Sequence, residues 1–120
     1  MIHEVTGDIL LSKAQAMAHG VAPNDDFKSG LAYSLKENYP SLYKDFRNYS
    51  HKTHPKEGTV WAWMNAEGKK IFNLFTQEHA KGHNSHPGKA KTAYVNHSLK
   101  ELRKNIEEEG IKSIALPKLA

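Results

Sequence analysis

The sequence predicts an α/β fold, a sandwich of helices around a mixed sheet. Three observations carry this. Strand-length stretches that are alternating or wholly apolar take turns along the chain with longer segments whose apolar residues recur at helical spacing. Two of the strand-like stretches, residues 59–64 and 70–76, flank the turn sequence Asn65-Ala66-Glu67-Gly68, which marks one antiparallel hairpin inside the alternating order. The length of 120 residues sets one domain, large enough to bury a core without staples.

Residues 2–6 alternate apolar and polar side chains, as a half-buried strand does. Residues 10–14 are a short connection. Residues 16–19 are small and apolar, suited to a buried central strand. Pro23, Asn24, Asp25 and Asp26 are turn formers, so residues 21–29 read as a loop. Ser29 is the expected N-cap of a helix from Gly30 to Asn38, with Leu31, Ala32 and Leu35 on one face. Pro40 is expected to stop it, and Ser41 to open a second helix carrying Leu42, Phe46 and Tyr49. Residues 50–58 are polar, contain Pro55 and Gly58, and read as a loop. The hairpin follows, with Trp61 and Trp63 on one sheet face, packed against a helix. Residues 77–91 form a long polar loop, of a size that is usually functional. Val95, Leu99, Leu102 and Ile106 define a helix from Thr92 to Glu109, which Gly110 ends. Residues 111–116 close the list as a buried strand.

The charge of +4 and the pI near 9.2 favour an anionic partner. With no cysteine there is no disulfide framework and no thiol chemistry. No apolar run approaches a membrane span or a signal segment, so a cytoplasmic protein is expected. His79, His83 and His86 have a spacing that suits a metal only on a helix. Gly82, Pro87 and Gly88 argue against a helix there, so no metal is expected. His19, at the end of a buried strand, reads as a satisfied structural histidine.

In a sheet of this kind ligands bind beyond the carboxyl ends of the strands. Asp8, residues 19–21, Thr76-Gln77 and residues 117–120 all fall on that rim. The start of the first helix supplies free backbone N–H groups, and Gly30 allows a close approach, so residues 28–32 make a candidate anion site with Lys28 at its mouth.

The same residues carry a family resemblance. Gly7-Asp8-Ile9, the loop ending in Ser29-Gly30-Leu31-Ala32, Tyr39-Pro40, Asn73-Leu74-Phe75-Thr76-Gln77 and Ile114-Ala115-Leu116-Pro117-Lys118-Leu119-Ala120 follow one another in the order and spacing of a macro domain. The chain resembles the smaller macro domains that include the terminal ADP-ribose protein glycohydrolases and the DNA ADP-ribosyl glycohydrolase antitoxins. The resemblance covers nearly all of its length.

That resemblance implies a three-layer sandwich with a mixed central sheet flanked by helices. It also implies ADP-ribose, or a derivative of it, as the partner. Asp8 would accept from the adenine amine and the Ile9 N–H would contact the ring. The pyrophosphate would lie on Lys28, Ser29, Gly30, Leu31 and Ala32, with Phe27 as a pocket wall, and the distal ribose would reach Thr76 and Gln77. Two positions depart from the pattern. Ala22 stands where larger hydrolytic branches carry a ribose-holding asparagine, with Asn24 nearby. Gln77 stands where the glycohydrolases carry a lysine, and an amide cannot act as that nucleophile. Gln77 and His79 are the remaining catalytic candidates, with Glu78 beside them. No cofactor is implied, and nucleic acid enters only as a carrier of ADP-ribose.

The expected reaction is hydrolysis of ADP-ribose 1″-phosphate, O-acetyl-ADP-ribose or an ADP-ribosylated substrate. A non-catalytic ADP-ribose reader and a basic nucleic-acid-binding domain are the alternatives. The family continues into a second phosphate loop, a helix and a last strand beyond the matched residues, so the sequence is expected to lack that part of the domain.

Overall fold

A computed structural model describes residues 2–4, 14–80 and 88–117 of the chain. The elements are β1 (Ile2–Glu4), β2 (Ala16–Val21), α1 (Gly30–Asn38), α2 (Pro40–Thr53), β3 (Val60–Met64), β4 (Lys70–Phe75), α3 (Thr92–Glu109) and β5 (Ile114–Leu116). The five strands form one sheet in the order β1-β5-β2-β4-β3. β1, β5, β2 and β4 run parallel, and β3 is antiparallel to β4. The sheet is therefore mixed, and its one antiparallel pair is the expected hairpin.

The two-residue period of the strands sorts their side chains into two cores. Met17 and Val21 of β2, Ile71 and Phe75 of β4, Trp63 of β3 and Ala115 of β5 pack with Leu35 of α1 and with Leu42 and Phe46 of α2. Ala16, Ala18, Phe72, Leu74, Ile114 and Leu116 face the other way, onto Leu102 and Ile106 of α3. The result is three layers: α1 and α2, the sheet, then α3. Trp61 and Trp63 lie on the α2 side as expected. Trp61 stacks on Tyr49 at 4.8 Å, and the Trp63 indole N–H donates to Asp45 Oδ2 at 2.8 Å.

β2 and β4 are the buried centre of the sheet apart from Gly20 and Lys70, in register from Ala16↔Lys70 to Val21↔Phe75. His19 and Asn73 face each other there. The Asn73 amide donates to the Trp61 carbonyl at 3.1 Å, which turns its oxygen toward His19 Nε2 at 2.7 Å. Nε2 therefore carries the imidazole proton. Among the described residues the His19 Nδ1 has no partner, and its ring meets Phe27 edge to face at 5.6 Å. Burial pulls its pKa from 6.5 down to about 4, and the bond to Asn73 offsets little of this.

Helix boundaries follow their local chemistry, with two corrections. α1 ends at Asn38, before Pro40, as expected, but α2 opens at Pro40 itself and not at Ser41, because a missing N–H costs nothing at the first helical position. α2 also runs one turn further than expected, to Thr53, so the loop begins at His54, a left-handed residue. In that last turn His51, Lys52 and Thr53 are exposed, Thr53 Oγ1 donates back to Tyr49 O, and Ser50 Oγ donates across to Pro23 O at 2.7 Å. β5 is shorter than expected because Ile111 serves the end of α3. The Ile111 N–H reaches Ile106 O at 3.0 Å and the Gly110 N–H reaches Glu107 O, which is a Schellman stop. Ser29 stands at the N-cap of α1, but its side chain makes no capping bond.

Candidate functional site

β2 and β4 are parallel neighbours and end together, so the loops that follow them leave the sheet side by side. In the loop after β2, Asp25 is the organiser. Its carboxylate accepts from Phe27 N–H at 2.8 Å and from Ala22 N–H at 3.4 Å, while its own N–H donates to Ala22 O. Burial raises the Asp25 pKa, and the two backbone bonds oppose that rise. Asp26 accepts from Lys28 N–H in the same manner. This folding puts Phe27 at a φ of +54° and drives its ring into the core against Phe46 and Tyr43. Phe27 is fully buried and is not a pocket wall.

The turn delivers the chain to α1 at Gly30, whose φ of +63° is left-handed. The first bond of the helix runs from Tyr33 N–H to Ser29 O, so Gly30, Leu31 and Ala32 precede the ladder. Lys28, Ser29 and Gly30 are exposed, Leu31 is partly buried and Ala32 is buried.

The loop after β4 is tied down at several points. Thr76 is buried, and its hydroxyl has no partner among the described residues. The Gln77 N–H donates to Val21 O at 3.4 Å, and Gln77 forms a bridge with Ala90. Gly88 closes onto Glu78 so tightly that a Cβ there would lie 2.6 Å from the Glu78 Cβ. The two loops are stitched together by Asn24: its Nδ2 donates to Ala80 O at 3.0 Å and its Oδ1 accepts from Ala80 N–H at 2.8 Å. The Asn24 amide is thus committed to the protein itself. Ala22 is fully buried beneath this junction.

Two acidic side chains pair with basic groups of this loop. Glu78 pairs with Lys91, whose pKa that contact raises. Glu57, from the turn before β3, lies 3.0 Å from His79 Nδ1 and is held ionised below its usual range by that bond. His79 lines a cavity of about 370 Å³, together with Asn24, Asp25 and Asp26 of the first loop and Arg47 and His51 of α2.

The structure therefore brings Asn24, Thr76, Gln77 and His79 to one junction, with Lys28 to Ala32 at the far end of the same loop. Asp8, Ile9, His83 and His86 lie outside the described residues. Among the described residues no three potential ligands converge on a metal position, and no helix is long and apolar enough to cross a membrane. Sequence reasoning missed Asp25 as the loop organiser, Glu57 as the partner of His79, and the α2 wall. Asp25 had a readable signal, since an Asp two residues before a chain reversal is an Asx-turn former.

This three-layer arrangement, with a mixed sheet and its loops gathered at the carboxyl ends of β2 and β4, is the macro-domain fold. No family model matches the chain. Its likeness is to the DNA ADP-ribosyl glycohydrolase branch of macro domains. It is 27% identical over 122 residues to the DNA ADP-ribosyl glycohydrolase of Thermus aquaticus, covering 99% of this chain but 32% of that protein. The chain thus spans about a third of the length of the curated relative it matches. The macrodomain of Thermus aquaticus DarG superposes with a TM-score of 0.83 at 25% identity, over 99% of this chain and 77% of the other. Thermosipho africanus DarTG, in complex with ADP-ribose, superposes with a TM-score of 0.81 at 23% identity, over 98% of this chain and 33% of the other.

Proposed function

We propose that this chain binds ADP-ribose and hydrolyses an ADP-ribose derivative, with ADP-ribose attached to DNA as the foremost substrate class. The observation that carries this reading is the likeness to a DNA ADP-ribosyl glycohydrolase along 99% of the chain. The rim geometry supports it. The first turn of α1 presents backbone donors ahead of its ladder beside Lys28, a cradle suited to a pyrophosphate. The distal ribose would end at Thr76 and Gln77, which the bridge to Ala90 holds in place. Asp8 and Ile9 would hold the adenine, and catalysis would rest on positioning and an activated water.

Calorimetric titration of ADP-ribose tests the reading, with Asp8→Ala as the control. Binding that the variant loses is the expected result; no binding by the folded wild type overturns the proposal. A non-catalytic reader is favoured by one observation, the amide of Gln77 at the rim in place of a nucleophile. Release of free ADP-ribose from an ADP-ribosylated DNA oligonucleotide separates the two.

A further inference from the structure

The cavity beside the loop junction holds a histidine already paired with a carboxylate. His79 Nδ1 lies 3.0 Å from Glu57 Oε2, and the backbone on either side of His79 is fixed, at Gln77 by its bond to Val21 O and at Ala80 by the two bonds to Asn24. A carboxylate on Nδ1 holds the neutral ring in the Nδ1–H tautomer and leaves Nε2 as the basic nitrogen. Glu78, the other acid of this segment, is engaged by Lys91. The cavity that His79 lines is of small-molecule size at about 370 Å³.

We infer that His79 is the general acid–base of the hydrolysis, that Glu57 is the residue that positions it, and that this cavity receives the group to which the ADP-ribose is attached. The inference rests on the ADP-ribose reading above. In the step, His79 Nε2 takes a proton from a water whose oxygen bonds to the anomeric carbon of the distal ribose. The bond from that carbon to the leaving atom breaks, and its electron pair goes to the leaving atom. The imidazolium then returns the proton to that atom. One water is consumed, free ADP-ribose and the unmodified carrier are formed, and Glu57 stays ionised throughout. Among the described residues, the charged and titratable groups that share the cavity with His79 are Asp25, Asp26, Tyr43, Arg47, His51 and His54, with Glu57 on the ring itself.

The test compares wild type, His79→Asn, Glu57→Gln and the double variant. The readouts are release of ADP-ribose from an ADP-ribosylated DNA oligonucleotide and calorimetric ADP-ribose affinity. His79 is half exposed, so its replacement leaves the core intact. His79→Asn should lower kcat about a hundredfold or more with the ADP-ribose Kd unchanged. Glu57→Gln should lower kcat less, and the double variant should be no slower than His79→Asn, as for two groups that act as one unit. The wild-type pH–rate profile should carry an acid limb that His79→Asn lacks.

Wild-type turnover in His79→Asn, or a wild type that binds ADP-ribose and releases none, overturns the dyad and leaves the binding reading standing. A folded wild type that binds no ADP-ribose overturns both.

Discussion

His19 and Asn73 are buried side by side on the two central neighbouring strands β2 and β4. His19 titrates near 4 rather than 6.5, because burial penalises its charged form. The unfolded chain takes up a proton there at about pH 6.5, and the folded chain does so only near 4. The stability that this neutral histidine contributes is complete above pH 6.5 and is lost as pH falls toward 4. Urea unfolding should therefore show wild type losing on the order of 2 kcal/mol between pH 7 and pH 5 from this residue, a loss absent in His19→Gln. Asp25 acts with the opposite sign: its raised pKa makes the ionised form costly above that pKa, and the cost is relieved as pH falls. It is present in both proteins and cancels in the comparison. Equal slopes would assign the effect elsewhere. Asn73→Ala removes the acceptor of His19 and the donor to Trp61 together. It should cost about 2–3 kcal/mol, read as a lower denaturation midpoint with an unchanged m-value.

At the scale of elements, α1 is entered through a left-handed Gly30 with no atom within 4 Å of where a Cβ would stand. Gly30→Ala should therefore cost about 1–2 kcal/mol by backbone strain alone, and its thermal midpoint reads this directly. The junction of the two rim loops depends on Asn24. In Asn24→Ala the Ala80 N–H loses its acceptor, and its hydrogen exchange should quicken about tenfold or more. Unchanged exchange would mean that the segment is held by its other ties.

Elements with chemical punctuation were legible in advance. α3 runs from Thr92 to Glu109 as read, because its apolar spacing and Gly110 mark it; α1 was bounded by Gly30 and Pro40 in the same way. The end of α2 was not, because a solvent-facing polar turn looks like a loop. Phe27 was misread as a pocket wall because the left-handed twist that buries it is imposed by Asp25 and not by its own neighbours. The pairings of Asn24 with Ala80 and Glu57 with His79 join residues far apart in sequence. No local pattern announces such contacts.

For the whole molecule, the proposed binding at the rim would add to the stability of the fold. With ADP-ribose at a hundred times its Kd the gain is about 2.7 kcal/mol, which for a domain of this size raises the thermal midpoint by on the order of 10 °C. A thermal-shift titration checks this, and an unmoved midpoint would contradict the ligand assignment. A basic domain that bound nucleic acid through charge alone would instead show steep salt dependence and no competition by free ADP-ribose.

The partition of the core has a practical corollary. Asn24, Asp25, Arg47 and His79 lie over the α1 and α2 side or on the rim, while α3 covers the opposite sheet face with Leu102 and Ile106. The proposed site and half of the fold's cohesion are thus on separate sides of one sheet. A protein engineer could repack the α3 side for heat tolerance and leave the groups of the proposed site in place, with the stability so gained as a reserve for changes at the rim.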